Sequence, residues 1–539
     1  MRRLAIACCA LLALPLLGVL SAWLTPQAAS WELLRHQVST VLPGYALNSL
    51  LLAAGVGIGV ALLGGATAAA VTLFDFPGRR VFEWALLLPL AMPAYVLAYA
   101  ATDFLQPSGA LQAALRRWTG ASGALWPDVR SLPGAIVLFT LALYPYVYVL
   151  TRAALVERGV HLMEAARLLG AGLGRRVREV ALPLARPALA AGTALALMET
   201  LADYGVGAYF GLSTFTTGIY KAWLSADDRI AAAQLATVLL AVVALLLWAE
   251  RRAQARLRFA SSRRGAQSGE SRPVRLERGA ALAAWTLCAA PVLLGFVLPV
   301  AVLARSVWLE ARHGDFGLPW ARFWQWSLTT LQLSALAAAV AVTLALLFAA
   351  VLRQRAAAGR LAPAMVRLVS LGYAVPGAVI AVGLLLPLGW AQATAPGSAV
   401  AAGIAWAATG TAAGLIYAYL VRFSAVALQS VEAGYARIPA SFDDSARMLG
   451  AGASRLFFGV HLPLLSRAAL AAALLVFVDV MKELPATLVL RPFDSDTLAV
   501  VAYNFARDER LAEAALPSLA IVVVGLLPVL LLSRAMRAR

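Results

Sequence analysis

Residues Glu164–Pro183 read EAARLLGAGLGRRVREVALP, and residues Asp444–Pro463 read DSARMLGAGASRLFFGVHLP. The second stretch follows the first by 280 positions without a gap. Ala166/Ala446, Arg167/Arg447, Leu169/Leu449, Gly170/Gly450, Ala171/Ala451, Gly172/Gly452, Arg175/Arg455, Val180/Val460, Leu182/Leu462 and Pro183/Pro463 agree at that offset. A repeat at fixed spacing decides the architecture before any single element does, because it makes the chain two copies of one plan. Each copy is a polar, glycine-broken island between strongly apolar segments.

The island reads as a short amphipathic helix, a turn, a second short helix and a proline that opens the next membrane span. Leu162, Ala165, Ala166 and Leu169 share one helical face, as do Phe442, Ser445, Ala446 and Leu449. Gly170 and Gly450 are placed to take a positive φ and end the helix. Pro183 and Pro463 suit the first turn of the helix that follows. A helix lying on lipid headgroups is the simpler alternative. It gives no reason for the same internal spacing to occur twice.

The arrangement Glu164-Ala165-Ala166, then Gly170, then Leu182-Pro183, resembles the EAA loop of type I ABC importer permeases. The resemblance implies that the loop docks into a cleft of a cytoplasmic ATPase subunit. The second copy, with Asp444-Ser445-Ala446, keeps an acid, a small residue and alanine in register before Gly450 and Pro463. Its departure from Glu-Ala-Ala leaves open whether the two docking contacts are equivalent.

Composition agrees with a membrane protein: 62% of the 539 residues are hydrophobic and only 13% are charged. The net charge of +18 does not gather in one patch that would suit nucleic acid. The basic residues fall between apolar segments, in the inner-loop bias of multi-pass proteins. Cys8, Cys9 and Cys288 sit in apolar segments, offering neither a disulfide framework nor metal-ligand spacing.

The expected fold is therefore an all-α polytopic membrane protein with about twelve transmembrane helices in two homologous halves. Spans are expected near Leu4–Leu24, Tyr45–Phe74, Val81–Asp103, a segment ending at Arg152, one starting at Pro187, and Ile230–Trp248. The second half repeats them near Ala280–Ala304, Thr329–Leu352, Val366–Leu388, Val400–Val421, Arg467–Thr487 and Glu513–Leu532. A signal peptide cut after Gln27-Ala28-Ala29 is the alternative to a retained first helix, but the first run is long enough to span. Pro93 and Pro376 occupy similar places within MPAYVLAYA and VPGAVIAVG, as kinks or packing adjustments.

The domain boundaries that follow are 1–43 for the first helix and its outer loop, and 44–249 for the first type-1 transmembrane domain. A charged, aperiodic cytoplasmic linker covers 250–279, with Arg density that could touch anionic lipid. The seventh helix with its outer loop covers 280–326, and the second type-1 domain 327–533. Inner-loop arginines, among them Arg79, Arg158, Arg353, Arg355 and Arg360, place both islands and both termini on the cytoplasmic side, against mixed outer loops such as that of Asp315. The expected location is a bacterial inner membrane, in a parallel repeat about the membrane normal.

The chain has two lysines, Lys221 between Tyr and Ala and Lys482 between Met and Glu. A P-loop needs Gly-Lys-Ser/Thr, so this chain has no such phosphate cradle and is not read as an enzyme. The resemblance implies that ATP is used by two copies of an ATPase subunit and that a periplasmic substrate-binding protein delivers the cargo. No cofactor or metal is expected on this chain itself.

Acids within spans are expensive and point to a pathway. Glu199 and Asp203 are spaced i, i+4, and Asp479 and Glu483 repeat that spacing 280 positions on, with Lys482 beside Glu483 able to neutralise part of it. The alternative is that these acids cap helix ends or pair with Lys482. The phrases METLADYG, TFTTGIYKAW and DVMKELPATLVLRPFDSDTLAV are similar to the ferric-iron branch of the permease family. Ferric iron is thus the expected cargo, with thiamine, phosphonate or another small solute as alternatives. No His/Cys/Tyr ligand cluster is expected. An ion-coupled secondary transporter using the four acids as relays is the rival of another class, though it leaves both islands idle. His36, His161, His313 and His461 fall in loops or islands, read as solvated or interfacial, with no HExxH pattern.

Overall fold

The computed structural model describes residues 2–23, 28–156, 160–261, 273–314, 317–353, 364, 366, 367, 369 and 372–537. Gln27, Arg158, Asp315, Arg355, Arg360 and the middle of the linker, 262–272, lie outside them. Among the described residues eleven helices are long and apolar enough to cross a membrane, or twelve if one bent pair forms a single span.

That bent pair is the expected third span. Arg79–Ala91 and Ala94–Thr119 meet at 92°, so Pro93 begins a new helix instead of kinking a continuous one. Pro376 likewise precedes the helix Gly377–Thr394. Proline cannot supply an interior N–H, so the first turn is where it fits. The tenth span lies at Ala412–Tyr435, not Val400–Val421. The apolar run is cut at Gly410-Thr411, where the Thr411 side chain accepts the Ala413 N–H and starts the spanning helix anew. A short helix, Ala399–Thr409, precedes the cut.

Two segments read as loops are partly regular. Residues Ala28–Ser39 form a helix that includes His36. The sixth spanning helix continues through Ser261, well into the expected linker, because its Ala, Arg, Leu and Gln content favours helix. Beyond the linker's undescribed middle, Val274–Arg275 pairs in parallel with Phe74–Asp75.

The chain forms two compact units, and each draws on both sequence halves. One comprises Met1–Val38, Gly218–Leu240 and Pro319–Val501; the other comprises Ser39–Thr217, Ala241–Leu318 and Ala502–Arg539. In the first unit the helices Trp320–Arg353, Ala412–Tyr435 and Leu462–Met481 pack together, and the helix Arg2–Ser21 lies against Gly377–Thr394. A Cβ on Gly18 would sit 2.0 Å from the Gly383 carbonyl oxygen, so the two backbones touch where both residues lack side chains. In the second unit Leu42–Leu73, Leu132–Ala154 and Leu182–Ala202 form the matching triad. Gly64 and Gly192 both let their helices reach the backbone around Val147. In each unit the second and third helices of the triad lead into and out of the island.

Candidate functional site

The two islands have the same local structure. Val160–Leu168 and Ala440–Met448 are the first helices. The Gly170 N–H donates to the Arg167 carbonyl at 2.9 Å and the Ala171 N–H to Ala166 at 3.0 Å; Gly450 and Ala451 do the same to Arg447 and Ala446 at 2.9 and 3.0 Å. This is a Schellman ending, and it needs the left-handed backbone both glycines show, with φ of 82° and 79°. The chain resumes as Leu173–Arg176 and Ala453–Leu456, then widens into one π-helical turn, Val177–Ala181 and Phe457–His461. Pro183 and Pro463 stand at the second residue of the α-helices that follow. The wide turn accommodates a proline that has no N–H and crowds the preceding carbonyls.

Exposure repeats as well. Glu164, Ala165, Asp444 and Ser445 are exposed, Ala166 and Ala446 are half-buried, and Pro183 and Pro463 are exposed. Each helix ends in two protruding apolar side chains: Leu168 and Leu169 are 89% and 88% exposed, Met448 and Leu449 89% and 86%. The expected apolar face thus points away from the chain.

The sides that hold the islands to the protein differ. Under the first island Leu73, Leu155, Met163, Ala181 and Ala185 form an apolar cluster. At the same offset the second island has Arg353, Tyr435, Asp443, His461 and Leu465. The Arg353 guanidinium donates to both Asp443 oxygens, at 2.9 Å from Nε and 3.4 Å from Nη2. It also donates to the carbonyls of Tyr435, Ile438 and Pro439 at 3.4, 2.9 and 3.1 Å. His461 Nε2 lies 3.0 Å from Asp443 Oδ1, and its Nδ1 lies 3.2 Å from the Tyr435 hydroxyl. His461 is buried, against the expectation of a solvated side chain, because this network supplies partners for both ring nitrogens. Burial works to raise the Asp443 carboxyl, but the hydrogen bonds and charges of Arg353 and His461 outweigh it and hold the group below the usual carboxylate value.

The intramembrane acids do not share helical faces as their spacing suggested. The helix Leu182–Ala202 ends before Asp203, whose backbone is extended, and Leu462–Met481 ends before Lys482. Asp203 Oδ1 accepts the Val206 N–H at 2.8 Å, capping the short helix Gly205–Tyr209. Glu483 Oε1 accepts the Ala486 N–H at 2.9 Å, while Oε2 accepts the Thr487 N–H at 3.0 Å and the Thr487 hydroxyl at 2.6 Å. Arg422 lies 3.3 Å from the same carboxylate. Lys482 lies one helical turn from Asp479, with its Nζ 2.8 Å from that carboxylate. Glu199 is half-buried on the last turn of Leu182–Ala202.

Among the described residues no three His, Cys, Asp or Glu gather as a metal site. Tyrosines do gather, contrary to expectation, and all in the unit of the first island. Tyr95 and Tyr99 have ring centroids 5.7 Å apart, Tyr99 and Tyr209 4.8 Å, and Tyr204 and Tyr503 5.7 Å. Four of the five come from METLADYG, the segment after it and the MPAYVLAYA phrase; the fifth is some three hundred positions away in sequence, as the folded chain alone reveals.

Two stretches of the chain, residues 61–259 and 341–538, match the family described as binding-protein-dependent transport system inner membrane component. The Fe(3+)-transport system permease protein FbpB 2 of Haemophilus influenzae is 27% identical over 497 residues, which cover 90% of this chain and 89% of that protein. The molybdenum transport system permease protein ModB of Escherichia coli is 32% identical over 130 residues, 24% of this chain and 55% of that one. A putative 2-aminoethylphosphonate transport system permease protein, PhnU, of Salmonella choleraesuis is 29% identical over 205 residues, 37% of this chain and 72% of that one.

Proposed function

The chain belongs to the binding-protein-dependent transport system inner membrane component family, and on that premise we propose that it is the fused permease subunit of an ATP-driven ABC importer for ferric iron. The carrying observation is the pair of islands, which present the same protruding apolar tip from the same glycine-ended helix. In this reading each tip seats in one of two ATPase subunits, and a periplasmic binding protein delivers iron from the other side. Both termini are cytoplasmic, with the islands. ATP closure of the ATPases pushes both islands, the spanning helices open outward, and hydrolysis resets the inward-facing state.

Ferric iron is preferred over oxyanion cargo because the iron-transport relative aligns along 90% of the chain. The molybdenum and phosphonate relatives align along 24% and 37%. The test is uptake of radioactive Fe³⁺ into proteoliposomes carrying this chain with its ATPase and binding-protein partners, in competition with thiamine. We expect iron uptake that thiamine leaves unchanged, and loss of ATP-coupled uptake in the double variant Leu169→Asp, Leu449→Asp, with insertion intact. Coupled uptake by the double variant would remove the docking reading. Carriage of thiamine without iron would keep the importer and discard the cargo.

A further inference from the structure

The tyrosine cluster calls for a physical reason, because the same fold does without it in the other unit. Aligning MPAYVLAYA with VPGAVIAVG sets Tyr95 and Tyr99 opposite Ala378 and Val382, and the island offset sets Tyr204 and Tyr209 opposite Leu484 and Val489. Aligning TFTTGIY with DTLAVVAY sets Tyr503 opposite Tyr220, whose hydroxyl donates to the Pro485 carbonyl. Aliphatic side chains therefore fill four of the five places when only packing is required. Five phenols in one unit bring oxygen where oxygen is costly to bury.

Two of the oxygens face one another. The Tyr503 hydroxyl donates to the Tyr204 hydroxyl at 3.2 Å. The Tyr99 hydroxyl is buried with no hydrogen-bond partner among the described residues. Tyr503 and Asp203 both lie within electrostatic reach of that phenol. Tyr99 and Tyr503 are buried, whereas Asp203 and Tyr204 are half-buried and form the edge a solute would meet first. A buried phenol without a partner calls for a physical reason, and an oxygen-seeking ligand is one that supplies it.

We propose that the hydroxyls of Tyr99, Tyr204 and Tyr503, with the Asp203 carboxylate, form a transient binding station for the ferric ion; this rests on the ferric reading above. A hard trivalent cation takes anionic oxygen ligands, and phenolate and carboxylate are the anionic oxygens a protein has. Each phenol that ligates gives its proton to water as its Fe–O bond forms, and iron stays ferric throughout. Asp203 commits one oxygen to capping Gly205–Tyr209, so the station is fixed to the helix break that follows the spanning helix.

The test uses the assembled transporter in proteoliposomes. Fe³⁺ offered as a weak chelate should raise the visible phenolate-to-iron charge-transfer absorption. Tyr204→Phe and Tyr503→Phe keep the rings and remove the oxygens. Each should weaken and shift that absorption and lower iron uptake by roughly tenfold or more. Tyr220→Phe, the counterpart outside the cluster, should keep the absorption. Iron uptake that persists at full rate in both cluster variants, with no charge-transfer band in the parent, would overturn the station while leaving the cargo standing. A transporter that carries another solute and no iron would overturn both.

Discussion

The mounting of the second island gives a prediction that can be worked from distances. Asp443→Ala removes the acceptor that joins Arg353 to His461. Side-chain exposure is only 19% for Arg353, 9% for Asp443 and 3% for His461, so solvent does little to replace it. Breaking a buried ion pair from one side costs about 3–5 kcal/mol. Arg353 keeps its three carbonyl acceptors, which trims the loss to roughly 2–4 kcal/mol. A loss of that size raises the detached population of Ala440–Met448 by tens to hundreds of fold, since about 1.4 kcal/mol is tenfold. Hydrogen exchange of its amides, read in the purified transporter, should speed up accordingly, while Val160–Leu168 stays protected. The first island supplies the complementary variant. Arg353→Leu, Tyr435→Leu, Asp443→Met and His461→Ala together graft its apolar mounting onto the second, with Leu465 filling space that Ala185 leaves in the first. Replacing a whole buried polar network by apolar groups is often neutral, so protection should return to within about 1 kcal/mol of the parent. The sign of the pH effect follows from Asp443. Its carboxyl titrates below the usual value, so its stabilisation is complete above about pH 4 and is lost as pH falls through the lower folded value. Unchanged exchange in Asp443→Ala, or a graft that exchanges faster than the single variant, would refute this reasoning.

Two further outcomes follow from the geometry. Gly170→Ala and Gly450→Ala should each weaken their helix ends by about 1–2 kcal/mol, through the left-handed backbone alone. An added Cβ meets nothing within 4 Å at either place, so the two effects should be equal, and a difference in exchange at the two helix ends would contradict this. Glu483→Gln should lower stability by roughly 2–4 kcal/mol, because Arg422 loses its buried carboxylate and one of the two oxygens that cap Pro485–Leu490 becomes an amide donor. A melting temperature equal to the parent's would show that Glu483 is not a structural anchor.

The fold was legible where periodicity and repetition carry it. The islands, their glycine endings and the number of spans follow from spacing along the chain, because helix ends and apolar runs are local properties. What spacing could not show is where a helix stops. Glu199 and Asp203 look like one face until Asp203 turns extended, and Asp479 and Glu483 fail in the same way. The carboxylate that ends up beyond the helix reaches forward to cap the next one, a choice made by the backbone of Val206 or Ala486 and not by any pattern in the acids. Tertiary partners were likewise hidden. Nothing near His461 in sequence announces Arg353, and nothing near Tyr204 announces Tyr503. The compact units also regroup the halves, because contacts such as Gly18 against Gly383 depend on backbone proximity across hundreds of positions.

The asymmetry between the two copies locates what each must preserve. The islands differ inside, where one is held by Leu73, Leu155 and Met163 and the other by Arg353, Tyr435 and Asp443. Outside they agree in helix length, in the Schellman hydrogen bonds to within 0.1 Å, and in the exposure of the paired apolar tips. Interiors can exchange a polar network for an apolar one at little net cost, so nothing forces them to stay alike. An outer surface has no such freedom when the partner that grips it is the same on both sides. Two interiors that differ beneath one exterior are therefore what a fused chain should show if a pair of identical subunits docks on it. Under the proposed ferric station the tyrosines follow the same logic: a cargo that passes once needs its oxygen ligands in one copy only.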